Sequence, residues 1–597
     1  MKTTKKSPAH DRVFSFRYYW HGLPEILYYQ IPAKIILFMM FSFAEGILGS
    51  IMNLTGIYSV SSGELPSLLR SWYGWAVLIT ITILFTIYMA FDIIILILLS
   101  RNILYNQKKK MKEIISTAIR ISRKFINFRG CLIGMYFAVI IPLNTAMIGL
   151  RLTKHAVPQF IYSVIRSNHL YMLAYVVLVL ILDFIGIIHV FTFHGVLFDN
   201  YSLATSMHES RSLFFKNWKK IVWAYLKFFA MFVLILGVGV ISIVVIPYYV
   251  SHLIMQARFW YHYLIIMVVI MGLIFIFLFT MIFIQAQAMC LTRVYDECTF
   301  AGYQEAQFKT PVLFQKSFRF VVSISLLASL IFGYGGAMIF DDLFPKEYTT
   351  EVIAHRGGGD LSTENTVESI RAAIEAGATA SEIDVQRTAD GHYVIFHDNT
   401  LKRLCNDPRT IQELTLEEIK KLRITAPDGH RVRIATLEEI LNTAKDEIKL
   451  YIELKGKSAG MQMANDVYQM LLERNMVNQV RIISLNANLI TQVEKIYPDV
   501  ETEYLCYIAY GQIESMEVDA IGLEEELATT KRIDDLHDAG KKVDVWTANS
   551  FGSIIRFMVS NVDGIITDSV QLAMSIKDGK SDSPDFTRLL RIFFPQI

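Results

Sequence analysis

Cysteine is scarce and carries no pattern. The five in 597 residues, Cys131, Cys290, Cys298, Cys405 and Cys506, form no C-x-x-C pair and keep no metal-ligand spacing with histidine. That leaves no basis for a disulfide framework or a thiolate metal site. A surplus of charge is missing as well. Lys and Arg number 57 against 55 Asp and Glu, a formal net charge of +2. Tracking a nucleic-acid backbone needs a basic field, so no nucleic-acid partner is expected. Nor do the first thirty residues read as a cleaved leader. They are basic and aromatic, carry Pro24 and Pro32, and run into an apolar stretch of full span length that heads a series of others, so a retained membrane segment is expected.

What the chain has in excess is apolar surface. At 53% hydrophobic residues and a mean hydropathy of +0.38 it is too apolar for an ordinary soluble protein and too long for one domain. Seven stretches reach the roughly 20 residues a helix needs to cross a bilayer: 33–54, 75–99, 130–150, 171–197, 228–250, 263–286 and 321–340. Runs such as Ile93 to Leu99 and Phe232 to Ile246 are apolar on every face, unlike the amphipathic helices of a soluble core.

Basic residues near the spans give an orientation, because they stay on the cytoplasmic side. With the N-terminus inside, that side holds the cluster from Arg101 through Lys108, Lys109, Lys110 and Lys112 to Arg129, then Arg211, Lys216, Lys219, Lys220 and Lys227, and later Arg293. The opposite loops hold Arg70, Arg151, Lys154, Arg166 and Arg258. Seven crossings put everything after Phe340 outside the cell, in a multi-pass protein of the plasma membrane. Glu45, Asp92 and Asp183 fall within spans, where an ionisable group is costly. They are expected to be protonated or paired across helices.

From Glu351 onward the pattern changes to short β-branched runs alternating with amphipathic segments, as in a parallel α/β domain. Nine candidate strands follow: 351–356, 380–386, 393–398, 449–455, 480–485, 501–506, 520–524, 542–547 and 564–568. A (β/α)8 barrel fits the remaining length, places its active site where strands end, and requires one candidate to be accessory. The expected division is a polytopic membrane domain over 1–345, a barrel over 346–580, and a tail over 581–597 that could lie on the membrane.

Chemistry-bearing residues gather at those strand ends. Glu382 and Asp384 are two apart on one strand, so both leave the same face, and Glu453 and Lys455 repeat the spacing on another. Three converging carboxylates are hard oxygen ligands suited to one divalent cation, Mg²⁺ or Ca²⁺. His355 and His397 each follow an apolar run and titrate near neutrality, as an acid and a base for phosphodiester cleavage would. Arg356 and Lys455 would neutralise the non-bridging oxygens.

In chain order these residues read His355-Arg356-Gly357, Glu364-Asn365-Thr366, Glu382-Ile383-Asp384, His397-Asp398 and Glu453-Leu454-Lys455. The series resembles the glycerophosphodiester phosphodiesterase family, whose barrel carries these motifs in this order, over about residues 351–575. The membrane half is similar to the multi-span domain joined to the barrel in Gram-positive bacterial members. The resemblance implies that His355 and His397 are the acid–base pair, and that Glu382, Asp384 and Glu453 bind the metal. It further implies that Arg356 and Lys455 hold phosphate, while Glu364 and Asn365 shape the site. Trp546 would offer glycerol an apolar wall or be ordinary core.

The implied substrates are deacylated phospholipid head groups or a glycerophosphate polymer of the envelope, giving sn-glycerol 3-phosphate and an alcohol, with membrane lipids as the other partners. Intact lysophospholipid, or a translocator coupled to the hydrolase, are the alternatives. Leu485, Ala435 and Leu404-Cys405 depart from the family's usual residues outside the ligand set. The segment 399–447 is the expected specificity insertion.

Overall fold

The structure, a computed structural model, describes residues 16–55, 72–148, 165, 169–253, 257–299, 316–340, 349–426, 429–506 and 513–578. The chain divides into two compact units. The expected tail, 581–597, and the segment 341–348 that precedes the barrel lie outside the described residues.

Among the described residues the C-terminal unit has eleven strands: β1 (Glu351–Ala354), β2 (Ala380–Arg387), β3 (Tyr393–Ile395), β4 (Ile424–Thr425), β5 (Arg431–Val432), β6 (Lys449–Leu454), β7 (Val480–Ser484), β8 (Glu501–Cys506), β9 (Ala520–Glu524), β10 (Lys542–Trp546) and β11 (Gly564–Thr567). Eight run parallel in the order β1-β11-β10-β9-β8-β7-β6-β2, and β1 closes the ring by pairing Ile353 with Ala380 and Ala354 with Ser381. This is the predicted barrel.

The ninth candidate, 393–398, is the accessory one. β1 covers only the start of β2, and beyond it the edge of β2 lies open. There β3 pairs antiparallel, Val385 with Ile395 and Arg387 with Tyr393, so the exposed ladder is covered. Several predicted strands end early: β1 stops at Ala354, β3 at Ile395 and β6 at Leu454, which leaves His355, Arg356, His397 and Lys455 past the strand ends.

Between strands and outer helices lies one large apolar core, including Val352, Ile383, Val385, Ile452, Ile482, Val543 and Ile565. The barrel interior holds a smaller cluster of Ile353, Tyr451, Ile483, Leu505 and Ile566, with Leu485 and Trp546 against it. The 399–447 insertion has a core of its own, Phe396, Leu401, Ile411, Leu414, Ile419, Ile424 and Ile434, and carries the hairpin β4–β5.

The described residues of the seven predicted spans lie mostly on helices; 149–150 fall outside the described residues and 189–191 form a turn. The main helices are Phe16–Thr55, Trp72–Tyr105, Phe128–Ile148, His169–Ile188, Leu203–Val240, Arg258–Thr299 and Lys316–Met338. Among the described residues five segments are long and apolar enough to cross a membrane: Ile79–Tyr105, His169–Phe198, Leu203–Ile243, Arg258–Thr299 and Arg319–Met338. Large hydrophobic side chains such as Phe43, Leu180, Leu234 and Phe332 are exposed on this unit, an outer surface fit for lipid and not for water. Asp92 is paired as expected, accepting from Tyr29 Oη at 2.7 Å with Lys34 Nζ at 3.5 Å. The side chain of Glu45 lies outside the described residues.

Candidate active site

The C-terminal ends of β1, β2 and β6 and the turn after β3 bring every predicted acid, base and cation to one place. Asp384 and Glu453 are direct neighbours across the β2–β6 ladder, and Glu382 sits one pleat below. Glu382, Asp384 and Glu453 are all buried, and each offers an oxygen within 4.8 Å of the others. Lys455 Nζ donates to Asp384 Oδ1 at 2.9 Å and to Glu453 Oε2 at 3.0 Å. Asn365 exchanges two bonds with Asp384, its Nδ2 donating at 2.8 Å and its Oδ1 accepting from the backbone N–H at 3.2 Å.

Arg356 departs from the predicted strand geometry because it adopts φ +49° in a tight turn. That turn aims its backbone N–H at Glu382 Oε2, 2.8 Å away, and sends its guanidinium across the site. Gly359, at φ +59°, allows the same turn to press against the last strand: a Cβ there would lie 2.2 Å from the carbonyl oxygen of Asp568. No L side chain fits.

Each histidine has an aspartate behind it. His355 Nδ1 donates to Asp568 Oδ1 at 2.7 Å, and Asn549 Nδ2 donates to the other oxygen of Asp568 at 2.6 Å. His397 Nδ1 lies 2.9 Å from Asp398 Oδ1, while Arg356 Nη2 donates to His397 Nε2 at 2.9 Å. A guanidinium has no acceptor, so in this arrangement His397 Nε2 presents its lone pair and Nδ1 carries the proton toward Asp398.

Burial and neighbours set the electrostatics. Burial opposes charge on His355, but the Asp568 carboxylate outweighs it and the imidazole titrates above its ordinary value. Asp568 also works against burial; His355 and Asn549 bring it down to about 2. Glu382 and Glu453 are pushed up by burial, with the Asp384 charge adding to it. Asp384 is held down despite its burial by Lys455, His397 and Arg356. Glu382 and Glu453 thus resist ionising beside a charged Asp384, and three hard oxygens this close together could hold a divalent cation.

The predicted site residues therefore converge, apart from Trp546, which packs against the barrel-interior apolar cluster. Glu364 holds Arg356 Nη1 at 3.3 Å, and Trp546 is partly exposed at the end of β10, its indole N–H donating to Gly522 O at 3.0 Å. Asp568, Asn549, Asp398 and Arg403 have partners in the site that spacing in the sequence does not reveal. Asp568 stands 213 residues from His355, and only closure of the barrel through β11 brings it there. Asp398 was legible in principle, since a carboxylate next to a strand-end histidine can reach Nδ1.

A parallel barrel with paired imidazoles, clustered carboxylates and two cations at its strand ends defines a phosphoric diester hydrolase. The chain belongs to the glycerophosphodiester phosphodiesterase family: residues 355–572 match the glycerophosphoryl diester phosphodiesterase family, and residues 12–335, more than half the chain, match the membrane domain of glycerophosphoryl diester phosphodiesterase.

Among its relatives, the glycerophosphodiester phosphodiesterase of Caldanaerobacter subterraneus is 30% identical over 239 residues, 38% of this chain and 97% of that protein. The glycerophosphodiester phosphodiesterase of Bacillus subtilis is 24% identical over 285 residues, 44% and 97% respectively. A solved structure of an Oleispira antarctica phosphodiesterase in complex with the product sn-glycerol-3-phosphate is 23% identical, covers 38% of this chain and 96% of its own, and has a TM-score of 0.36.

Proposed function

We propose that this protein hydrolyses glycerophosphodiesters to sn-glycerol 3-phosphate and an alcohol with one divalent cation, at the outer face of the plasma membrane. The observation that carries the reading is the pair of aspartate-backed histidines, one charged more readily and one with its Nε2 lone pair facing the Arg356 guanidinium, at the same strand ends as the clustered Glu382, Asp384 and Glu453 oxygens.

The two imidazoles divide the proton work. His397 Nε2 takes the proton of the attacking hydroxyl, and Asp398 on its Nδ1 stabilises the imidazolium that results. His355, raised by Asp568, arrives protonated and delivers that proton to the departing alkoxide. The attacking oxygen is either the neighbouring glycerol hydroxyl, which leaves a cyclic phosphate for water to open, or water itself. Arg356 must leave the His397 lone pair before the base can act, and the incoming phosphate supplies the reason, since its oxygens accept from the guanidinium more strongly than a neutral imidazole does. Lys455, bonded to Asp384 and Glu453, would add a second cation for the same oxygens.

Glu382, Asp384 and Glu453 would hold the cation, which when bound supplies positive charge to the phosphoryl oxygens and to the nucleophile. Three buried carboxylates and no thiolate suit Mg²⁺ or Ca²⁺. Deacylated phospholipid head groups and glycerophosphate polymer are the substrates that fit, with Trp546 as the apolar wall for glycerol. Residues 1–345 would serve as the membrane domain and 346–580 as the catalytic one.

The test is sn-glycerol 3-phosphate release by the full chain in proteoliposomes, offered glycerophosphocholine, polyglycerophosphate or lysophospholipid. Chelation by EDTA is expected to abolish release and Mg²⁺ or Ca²⁺ to restore it. His397→Ala and Glu382→Ala are expected to lose at least about 10²-fold in kcat. Full activity in EDTA, or in either variant, would overturn the assignment.

A further inference from the structure

The outer edge of the site is closed by Arg403, on the short helix Lys402–Cys405 of the insertion. Its Nε and Nη2 donate to the two oxygens of Asp398 at 2.7 and 3.0 Å. Its Nη1 and Nη2 donate to the two oxygens of Glu364 at 2.9 and 2.6 Å. Each carboxylate then holds one part of the machinery. Asp398 takes His397 Nδ1, Glu364 takes Arg356 Nη1, and Arg356 Nη2 returns to His397 Nε2. The five side chains make a closed ring: His397, Asp398, Arg403, Glu364, Arg356.

We propose that Arg403 is a positioning residue for the phosphodiesterase reaction, clamping Asp398 and Glu364 together so that the His397 lone pair and the Arg356 guanidinium stay aimed at one phosphate. A planar fork with five donors satisfies two carboxylates at once, which a single ammonium cannot do. Without the clamp two carboxylates face each other with one cation fewer between them, and each is free to swing away from the group it orients. Small displacements of that kind cost catalysis more than binding. The clamp gives the insertion a duty in the chemistry: it fastens the general base. Arg403 itself stays nearly half exposed, its side chain 46% accessible against 19% for Glu364 and 23% for Asp398. Its contribution to folding is correspondingly small.

This inference rests on the roles proposed above for His397 and Arg356, and the experiment separates the two. Full-length protein in detergent micelles is assayed for sn-glycerol 3-phosphate release as wild type, His397→Ala, Arg403→Met, Arg403→Lys, Asp398→Asn and the Asp398→Asn/Arg403→Met double variant. Arg403→Met is expected to lower kcat by about 10- to 100-fold with KM changed by less than about threefold, and Arg403→Lys to recover only part of the loss. Because Arg403 acts through Asp398, adding Arg403→Met to Asp398→Asn is expected to cost less than about threefold more. If Arg403→Met does not fold, Arg403→Gln carries the same cycle. Wild-type kcat in Arg403→Met, or fully additive losses in the double variant, would overturn the positioning role alone. An inactive wild type or a fully active His397→Ala would instead overturn the functional reading beneath it.

Discussion

At the scale of single residues, the chemistry depends on partners that hold a group in one protonation state. Asp568 raises the His355 imidazole above its ordinary value against the pull of burial. Asp568→Asn removes the charge and leaves the burial, so the imidazole titrates lower than in the wild type. The limb of the kcat/KM pH profile that belongs to His355 is expected to move to lower pH, with kcat near neutrality down about 10²-fold; an unmoved limb would mean that another group titrates there.

A second buried charge lies inside the barrel, away from the chemistry. Arg481 is 1% accessible. It donates to Glu501 at 2.8 Å and Glu503 at 2.9 Å, and also pairs with Asp544. Arg481→Met strands two buried carboxylates and is expected to cost about 3 kcal/mol or more in denaturant unfolding. The motif residues were legible because their spacing survives any backbone: Glu382 and Asp384 face one way on any strand. Their partners were not, since nothing local ties Asp568 to His355 or Arg403 to Glu364.

At the scale of elements, strand ends decide where side chains go. The sequence reading ran β1 through Arg356 and the third candidate through Asp398, because β-branched pattern alone does not mark where pairing stops. The structure stops β1 at Ala354 and turns the chain through Arg356 and Gly359. The tightness of that turn is testable. Gly359→Ala forces a left-handed φ on alanine and drives a Cβ into the Asp568 backbone, so both stability, by about 2 kcal/mol, and activity should fall. Gly540→Ala, with φ +75° but open space around it, should lose about 1 kcal/mol and keep wild-type kcat. Equal activity in the two variants would show that the turn is not pressed against the site.

At the scale of the whole molecule, hydropathy marks where the apolar helices lie, but among the described residues five segments, not seven, are long and apolar enough to cross a membrane, and the helix lengths are not legible from the pattern. The helix Arg258–Thr299 has 42 residues, about 60 Å at 1.5 Å each, against a hydrocarbon core of about 30 Å. Its two ends are therefore expected on opposite sides of a membrane. Near one end, Asp296 pairs with Arg101 and Glu297 with Lys220 at 3.0 Å, drawing together the ends of helices that carry the basic clusters. Near the other, His262 stacks on Phe340 at 3.8 Å, where the chain leaves the helical unit. Basic clusters stay in the cytoplasm, so the barrel is expected outside. Protease added to intact spheroplasts should degrade the barrel and spare the Lys108–Lys110 segment, and everted vesicles should give the opposite result. A barrel protected in spheroplasts and cut in everted vesicles would invert the topology and, with it, the class of substrate the enzyme can meet.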